Sequence, residues 1–573
     1  MKFRYLKPEG KMTRHYLEAV AKARGCSTAG EVEDFLDPLP PIRNNIALLP
    51  DYSKAYNRLR TAILRHERVI IFGDWDCDGI ISLVQMHDLI KAAGHEELHW
   101  FIPDRRADDY GLTLEAVQRC YDLFQPNLVI SVDCGSPSYQ SAQWLQERNV
   151  DTIVIDHHQL GSHAEPHPAI AHLNPKAFQS ELTEILELRE MSASGLVYLF
   201  CDQFVRDSSL ETWDRSRALI LAGVGTVVDV MRLIGVNRAL AKRSLHLASQ
   251  PKELDRVPGL GALNEIARSG SISAATYGFV WGPRLNATGR LEEATAAVKL
   301  LMADSYTEAL QWAEHCHAAN EDRRKIQSVI VKAALEQAAT HIDNSSEEAS
   351  RILVLFEQNW HPGVVGIVAS RIKEQFSRPA IVLGWHEDGF CKGSGRSIPA
   401  YDIGSAIHSA VKEGVILGGG GHHMAAGLKT DLNQIDTLRE WLNKNCSLSK
   451  EDFASDIEIL GRCDSLAPEQ WCEVLDALEP FGNGNPRPSL YLSKAELTWG
   501  PNEMVGRDSN VWAMKAGFKT AGGDVIYCLW TDIDLARKVL KRGSTYNAAV
   551  NLSRTSKDNR TFFNWRICAC EQV

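Results

Sequence analysis

Four stretches of this sequence place acidic residues directly after an apolar run. Val69-Ile70-Ile71-Phe72-Gly73 leads into Asp74-Trp75-Asp76-Cys77-Asp78-Gly79, and Leu128-Val129-Ile130-Ser131-Val132 into Asp133-Cys134-Gly135. Thr152-Ile153-Val154-Ile155 leads into Asp156-His157-His158, and Gly225-Thr226-Val227-Val228 into Asp229. Several carboxylates in one cleft repel one another unless cations sit among them. Oxygen ligands with one or two imidazoles suit Mn²⁺ or Mg²⁺ better than zinc. Two such ions about 4 Å apart can clamp the attacking and leaving oxygens of a phosphoryl displacement, with a bridging water as nucleophile. The chemistry these residue types point to is metal-assisted phosphodiester hydrolysis.

A single Asp after a strand is usually a helix cap or turn residue. Repetition at four run ends, with a double His at one of them, outweighs that reading. Asp-x-Asp-x-Asp-Gly also opens a calcium-binding EF-hand loop. That loop needs Glu at its twelfth position, which here is Gln85, and the segment before it reads as a strand rather than a helix.

The elements that must position these residues follow from periodicity. Short apolar runs alternate with helical stretches, the pattern of a parallel sheet with helices on its faces. In such a sheet the carboxyl ends of all strands share one edge, where ligands bind. Neither Gly nor Pro occurs from Leu291 to His361. Within that stretch, residues 305–340 read as one connecting helix on the order of 50 Å long, bridging two lobes and leaving a cleft. A second α/β unit starts at Ile352-Leu353-Val354-Leu355 and runs to about Leu442. After Phe453, short strands with frequent turn residues suggest a small β-barrel. The expected domains are a helical lead (1–48), a catalytic α/β domain (49–250), a connecting helical region (251–345), a smaller α/β domain (346–445) and a barrel (446–573).

At 573 residues, 44% hydrophobic and 24% charged, the composition is that of a globular, multidomain chain rather than a disordered or fibrous one. No run of about 18 apolar residues occurs, and the N-terminus has no apolar core of signal-peptide length, so a cytoplasmic protein without a membrane span is expected. The 13 cysteines include no C-x-x-C pair, and reduced thiols are expected. The net charge of −11 argues against a polyanion partner, yet it is uneven. From Arg487 to Val573 there are 13 Lys and Arg against 8 Asp and Glu, a local +5.

Asp156-His157-His158, with the upstream Asp-x-Asp-x-Asp-Gly and Asp133, resembles the DHH phosphoesterase superfamily. From about Val69 to beyond Pro488 the chain is similar to the bacterial single-strand-specific 5′ to 3′ exonucleases of that superfamily. The motifs are Ile102-Pro103-Asp104-Arg105 with Tyr110-Gly111-Leu112, residues 282–290 (Gly-Pro-Arg-Leu-Asn-Ala-Thr-Gly-Arg), residues 360–367 (Trp-His-Pro-Gly-Val-Val-Gly-Ile) and residues 392–397 (Lys-Gly-Ser-Gly-Arg-Ser). Gly420-Gly421-His422 with Met424-Ala425-Ala426-Gly427 resembles the family's DHHA1 domain. Pro480-Phe481-Gly482 with Gly484-Asn485-Pro486 and Pro488 resembles the start of its OB-like barrel. Two departures are His423, where the family usually has Ala, and residues 511–515 (Val-Trp-Ala-Met-Lys), which replace a usual His-Leu-Lys.

The resemblance implies a metal set of Asp74, Asp76, Asp78, Asp133, His157 and Asp229 for two divalent cations, with Asp74 either a ligand or an orienter of one. His158 would meet the scissile phosphate or a bound water, and Asp156 would orient the histidines. Arg105, Ser394 and Arg396 would hold the 5′-terminal phosphate, as guanidinium groups bind phosphate bidentately. Tyr110 would stack on or block a base. Shaped turns around Arg284, Asn286 and Arg290 mark them for strand contact, and the glycine run before Gly421 and His422 brings backbone N–H groups toward phosphate. Most of the ten aromatic residues after Arg487 are expected in the barrel core, with a few exposed to stack bases at ~1–3 kcal/mol each. The implied activity is digestion of single-stranded DNA to 5′-mononucleotides in repair and recombination, by a monomer working with a helicase and a single-strand-binding protein. The rivals are a phosphodiesterase for short RNA or cyclic dinucleotides, and a non-catalytic scaffold that binds single strands.

Overall fold

Three of the four acidic segments leave the same edge of one parallel sheet. The computed structural model describes residues 2–6, 12–104, 111–160, 166–291, 294–385, 389–454, 456–506, 510–557 and 560–573. Strand β1 (Lys2–Tyr5) belongs to a distant sheet. β2 (Val69–Phe72), β3 (Leu98–Phe101), β4 (Leu128–Val132), β5 (Asp151–Ile155) and β6 (Ala171–Leu173) form a sheet in the order β3-β2-β4-β5-β6, parallel throughout. Every residue of β2 and β4 is buried, as expected of strands covered by helices on both faces.

The fourth segment departs from the sequence expectation. Val227 and Val228 end a helix, Arg215–Val228, and Asp229 is its C-cap residue. Residues 218–226 are buried on every side, so the helical period is hidden and the apolar run mimics a strand. The helix runs deep because Gly223 and Gly225 admit close neighbours. A Cβ at Gly223 would stand 2.1 Å from Ser244 Cβ, and one at Gly225 2.1 Å from Ser194 Oγ.

The connecting helix spans Tyr306–Asn344, 39 residues, or about 58 Å at the usual rise. Its first half buries Ala309, Ala313 and Cys316 in the core of the catalytic lobe. Its second half buries Ile330, Ala334 and Ala338 in the core of the next lobe. That lobe contains β7 (Leu353–Glu357), β8 (Ala380–Trp385), β9 (Cys391–Arg396), β10 (Gly418–His422) and β11 (Ala425–Thr430), in the order β10-β11-β9-β8-β7. Only β7 and β8 pair in parallel. The glycine run is the edge strand of this sheet.

The third unit holds β12 (Asp456–Arg462), β13 (Ser489–Val505), β14 (Val511–Lys519), β15 (Val525–Trp530), β16 (Thr545–Lys557) and β17 (Arg560–Gln572). A β13–β16 pairing closes β13-β14-β15-β17-β16 into a five-stranded, OB-like barrel. The N-terminal residues pack onto this third unit. β1 pairs in parallel with β12, and Tyr16, Val20, Val32 and Phe35 share a core with Trp471, Leu475 and Leu490 of the barrel unit. No helix among the described residues is long and apolar enough to cross a membrane.

Candidate active site

Helix Cys77–Ala92 begins at the end of β2, and its first turn is built from the acidic motif. Asp76 is the N-cap: its Oδ1 accepts from Asp78 N at 2.9 Å and Gly79 N at 3.1 Å. Asp78 is fully enclosed, and its two oxygens accept from Ala193 N (2.7 Å) and Ser194 N (3.1 Å) at the start of helix Ala193–Ser208. Gly79 lets this turn fold onto Asp74, since a Cβ there would lie 2.8 Å from Asp74 N. Asn286 Oδ1 accepts from Cys77 N at 2.8 Å, bracing the same turn from outside.

Asp133 follows β4 with φ +60°, a left-handed conformation that Asp tolerates better than most residues. Such strain is typical where a side chain must be aimed. Asp156 follows β5, is completely buried, and accepts four hydrogen bonds. They come from Ser136 N (2.9 Å), His157 N (2.7 Å), His158 N (3.1 Å) and His158 Nδ1 (2.8 Å). An ionised carboxylate only accepts, so His158 carries its proton on Nδ1 and turns Nε2 away from Asp156.

These segments converge on His157. Its Nε2 lies 3.3 Å from Asp133 Oδ1, 3.7 Å from Asp229 Oδ2 and 4.0 Å from Asp78 Oδ2. Three overlapping groups have donor atoms within 4.8 Å of one another: Asp78–His157–Asp229, Asp74–Asp76–Asp133 and Asp133–His157–His158. All six residues of the expected metal set are thus gathered in one place, together with His158.

Crowding and burial set the charges. Burial first, then the charges of neighbouring Asp residues, push Asp133 and Asp229 well above the usual carboxylate range. The same causes, burial and then Asp76, raise Asp78 to about 6. His157 is driven down to about 3 by burial and by His158, which leaves its ring neutral and able to donate a lone pair. Burial opposes charge on His158, yet the Asp156 hydrogen bond and the surrounding carboxylates raise its pKa overall. Burial likewise opposes charge on Asp156, but its bonds to the histidine segment hold it far below the ordinary range.

The sequence reading missed a layer behind the double histidine. Lys176 Nζ donates to His157 O, and Asn174 Nδ2 donates to His158 O (2.8 Å) and Ser136 Oγ (2.8 Å). The one available signal was Asn174-Pro175-Lys176 directly after β6.

Opposite this cage stands the second lobe. Ser394 and Arg396 lie on β9, with Arg396 Nη1 donating to Ser394 Oγ at 2.7 Å. They face the first turn of helix Val365–Phe376. A Cβ at Gly366 would come within 3.1 Å of Ser394 Oγ and 3.2 Å of Arg396 Nη2. Arg396 has no carboxylate partner among the described residues, and burial lowers its pKa. Gly421 and His422 lie on exposed β10. Partial burial and the charges of His158 and Lys176 depress His422. Arg284 is buried, donating to Val280 O and pairing with His317 Nδ1 of the long helix. Arg290 donates to Gly363 O at 3.1 Å, tying the lobes together. Arg105 and Tyr110 lie outside the described residues. His423 Nε2 meets Pro399 O at 2.9 Å.

On the barrel, Phe518, Tyr546, Trp530 and Trp565 are core, while Trp499, Trp512, Tyr527 and Phe562 are exposed. Trp499 and Tyr527 meet edge to face at 5.5 Å, and Lys515 Nζ lies 5.6 Å from the Tyr527 ring.

Comparison with known proteins agrees with this architecture. Residues 68–224 match the DHH family, N-terminal domain, and residues 349–447 match the DHHA1 domain. The single-stranded-DNA-specific exonuclease RecJ of Escherichia coli is 30% identical, with 82% of each chain aligned. That of Bacillus subtilis is 31% identical over 81% of this chain but only 56% of its own length. RecJ from Thermus thermophilus, solved with Mn²⁺, superposes with TM-score 0.79 at 26% identity, covering all of this chain and 80% of the other. Its Mg²⁺ complex gives 0.73 at 25% identity, over 100% and 78%. Similarity of this extent, spanning the catalytic lobe, the DHHA1 lobe and the barrel in one order, makes this chain a member of the RecJ family of DHH phosphoesterases.

Proposed function

We propose that this protein is a metal-dependent exonuclease that digests single-stranded DNA from its 5′ end and releases 5′-mononucleotides. The observation that carries the proposal is the convergence of Asp74, Asp76, Asp78, Asp133, His157 and Asp229 in one largely buried cluster.

The cluster fits divalent cations. Asp229 Oδ2 is buried without a hydrogen-bond partner among the described residues, and burial with mutual repulsion disfavours ionisation of three of the carboxylates. Asp74, Asp76, Asp78, Asp133, His157 and Asp229 would hold a pair of ions. Mn²⁺ or Mg²⁺ held there supplies Lewis-acid charge and lowers the pKa of water.

The chain's own residues do the rest. Asp156 fixes the His158 ring with Nε2 turned away from it, toward a phosphate oxygen, and the raised His158 pKa favours a proton on that nitrogen. Arg396 and Ser394, at the N-terminal end of helix Val365–Phe376, receive the terminal phosphate, where backbone N–H groups and guanidinium act together. A grip on the end of the strand, at a fixed distance from the cleavage centre, yields mononucleotides. The exposed Trp499 and Tyr527, with Lys515, offer stacking and charge to the strand beyond it. A dinucleotide phosphodiesterase would have no use for that surface. A cleft that passes one strand needs duplex ends opened first, the task of a helicase and a single-strand-binding protein.

The test is digestion of 5′- and 3′-labelled oligonucleotides, single and duplex, as DNA and RNA, with Mn²⁺ or Mg²⁺. Early release of labelled mononucleotide from 5′-labelled single-stranded DNA supports the proposal. Early release from the 3′ label alone, or cleavage limited to dinucleotides, contradicts it.

A further inference from the structure

Directly after Asp229 the backbone turns left-handed. Val230 has φ +58°, a conformation poorly suited to a β-branched residue. Val230 is 63% exposed, so side-chain packing does not hold it there. The helix's own end closes the turn, with Val230 N donating to Val227 O (3.2 Å) and Met231 N to Thr226 O (3.2 Å), and the barrel unit clasps it from outside. Asn483 Nδ2 donates to Val230 O at 2.8 Å, and Leu233 N donates to Asn483 O at 2.7 Å. The flanking glycines allow this grip. A Cβ at Gly482 would lie 2.8 Å from Leu233 Cδ1, and one at Gly484 2.9 Å from Arg232 Cβ. The loop is itself anchored. Buried Asn485 donates to Leu478 O (3.0 Å) and Pro480 O (2.9 Å) and accepts from Arg24 Nε (3.0 Å). Arg238, on helix Gly235–Ala248 of the catalytic lobe, donates to Leu478 O (3.1 Å) and Glu479 O (2.9 Å).

We propose that Asn483 is a positioning residue for the metal centre: by pinning the left-handed Val230 it fixes the direction of the Asp229 carboxylate. The barrel unit then completes the cage as well as holding the strand. This rests on the reading of Asp229 as a metal ligand.

A double-mutant cycle tests it, with Mn²⁺ affinity from the electron paramagnetic resonance of free ion and nucleotide release measured in parallel. Asn483→Ala should weaken Mn²⁺ binding about tenfold, the scale at which left-handed strain matters. Val230→Gly should stay within about threefold of wild type, since glycine takes this conformation freely. In the Val230→Gly background, Asn483→Ala should cost little, because no strain remains to be held. Asn483→Asp, which keeps the shape and loses the donor, should behave as Asn483→Ala and serves if the alanine variant fails to fold. Unchanged Mn²⁺ affinity in Asn483→Ala, or the same loss in both backgrounds, overturns the inference. A wild type that binds no Mn²⁺ instead overturns the reading of the cage, and this inference with it.

Discussion

Asp156 and Asp133 carry the same side chain in neighbouring loops, and their surroundings drive them in opposite directions. Four donors keep Asp156 ionised as an orienting group, so Asp156→Asn should lower kcat by about 10- to 100-fold. Mn²⁺ affinity, read by titration, should fall much less, since its side-chain bond is to the His158 ring. Asp133, Asp78 and Asp229 are instead pushed toward protonation, Asp78 to about 6. Their folded pKa values exceed the unfolded ones, so the folded metal-free chain binds more protons above about pH 4. Its stability should therefore fall as pH rises through about 6, and Mn²⁺ should raise Tm more at pH 8 than at pH 5. Equal Tm gains at both pH values, in a thermal shift series, would contradict this balance. The acidic and histidine members of the centre were legible because their residue types announce a cation. Asn174, Lys176 and Asn483 were not, because each donates to a backbone carbonyl of a segment whose proximity no local spacing encodes.

The elements were legible where burial leaves a plain signature. β2, β4 and β5 stand out as short apolar runs because they are covered on both faces. Helix Arg215–Val228 is buried all round as well, which erased the period that would have separated it from a strand. The glycine run carries no strand signature, and forms β10 because pairing with β11 supplies the order its residues lack. Close approach at the helix start yields a prediction at this scale. Gly79→Ala places a methyl against the Asp74 backbone and should cost ~1–3 kcal/mol in urea unfolding, with a loss of activity. Gly261→Ala, in helix Pro258–Ile266 with open space at its Cα, should instead gain ~0.5–1 kcal/mol and leave activity alone.

At the scale of the whole molecule, one helix makes two lobes act as one site. Its halves lie in different cores, so the proposed 5′-end grip at Ser394 and Arg396 keeps a fixed separation from the acidic cluster. The bridging helix and the barrel were visible in the sequence. The return of the N-terminus to pair with β12 was not, since that contact joins residues more than 450 positions apart. Arg396→Ala should reduce the preference for 5′-phosphorylated over 5′-hydroxyl strands by roughly 10- to 100-fold, the worth of a charge-assisted bond. Competition between the two strands measures it. Trp499→Ala should weaken single-strand binding by the ~1–3 kcal/mol of one stacked base, with the slope against salt unchanged. The most direct measurement of the central claim counts Mn²⁺ bound per chain for wild type and Asp133→Asn, alongside nucleotide release from a 5′-labelled strand. The account predicts about two ions and digestion for wild type, with both sharply reduced in the variant. Wild-type digestion that persists without divalent cations, or in Asp133→Asn with the ions lost, would contradict it.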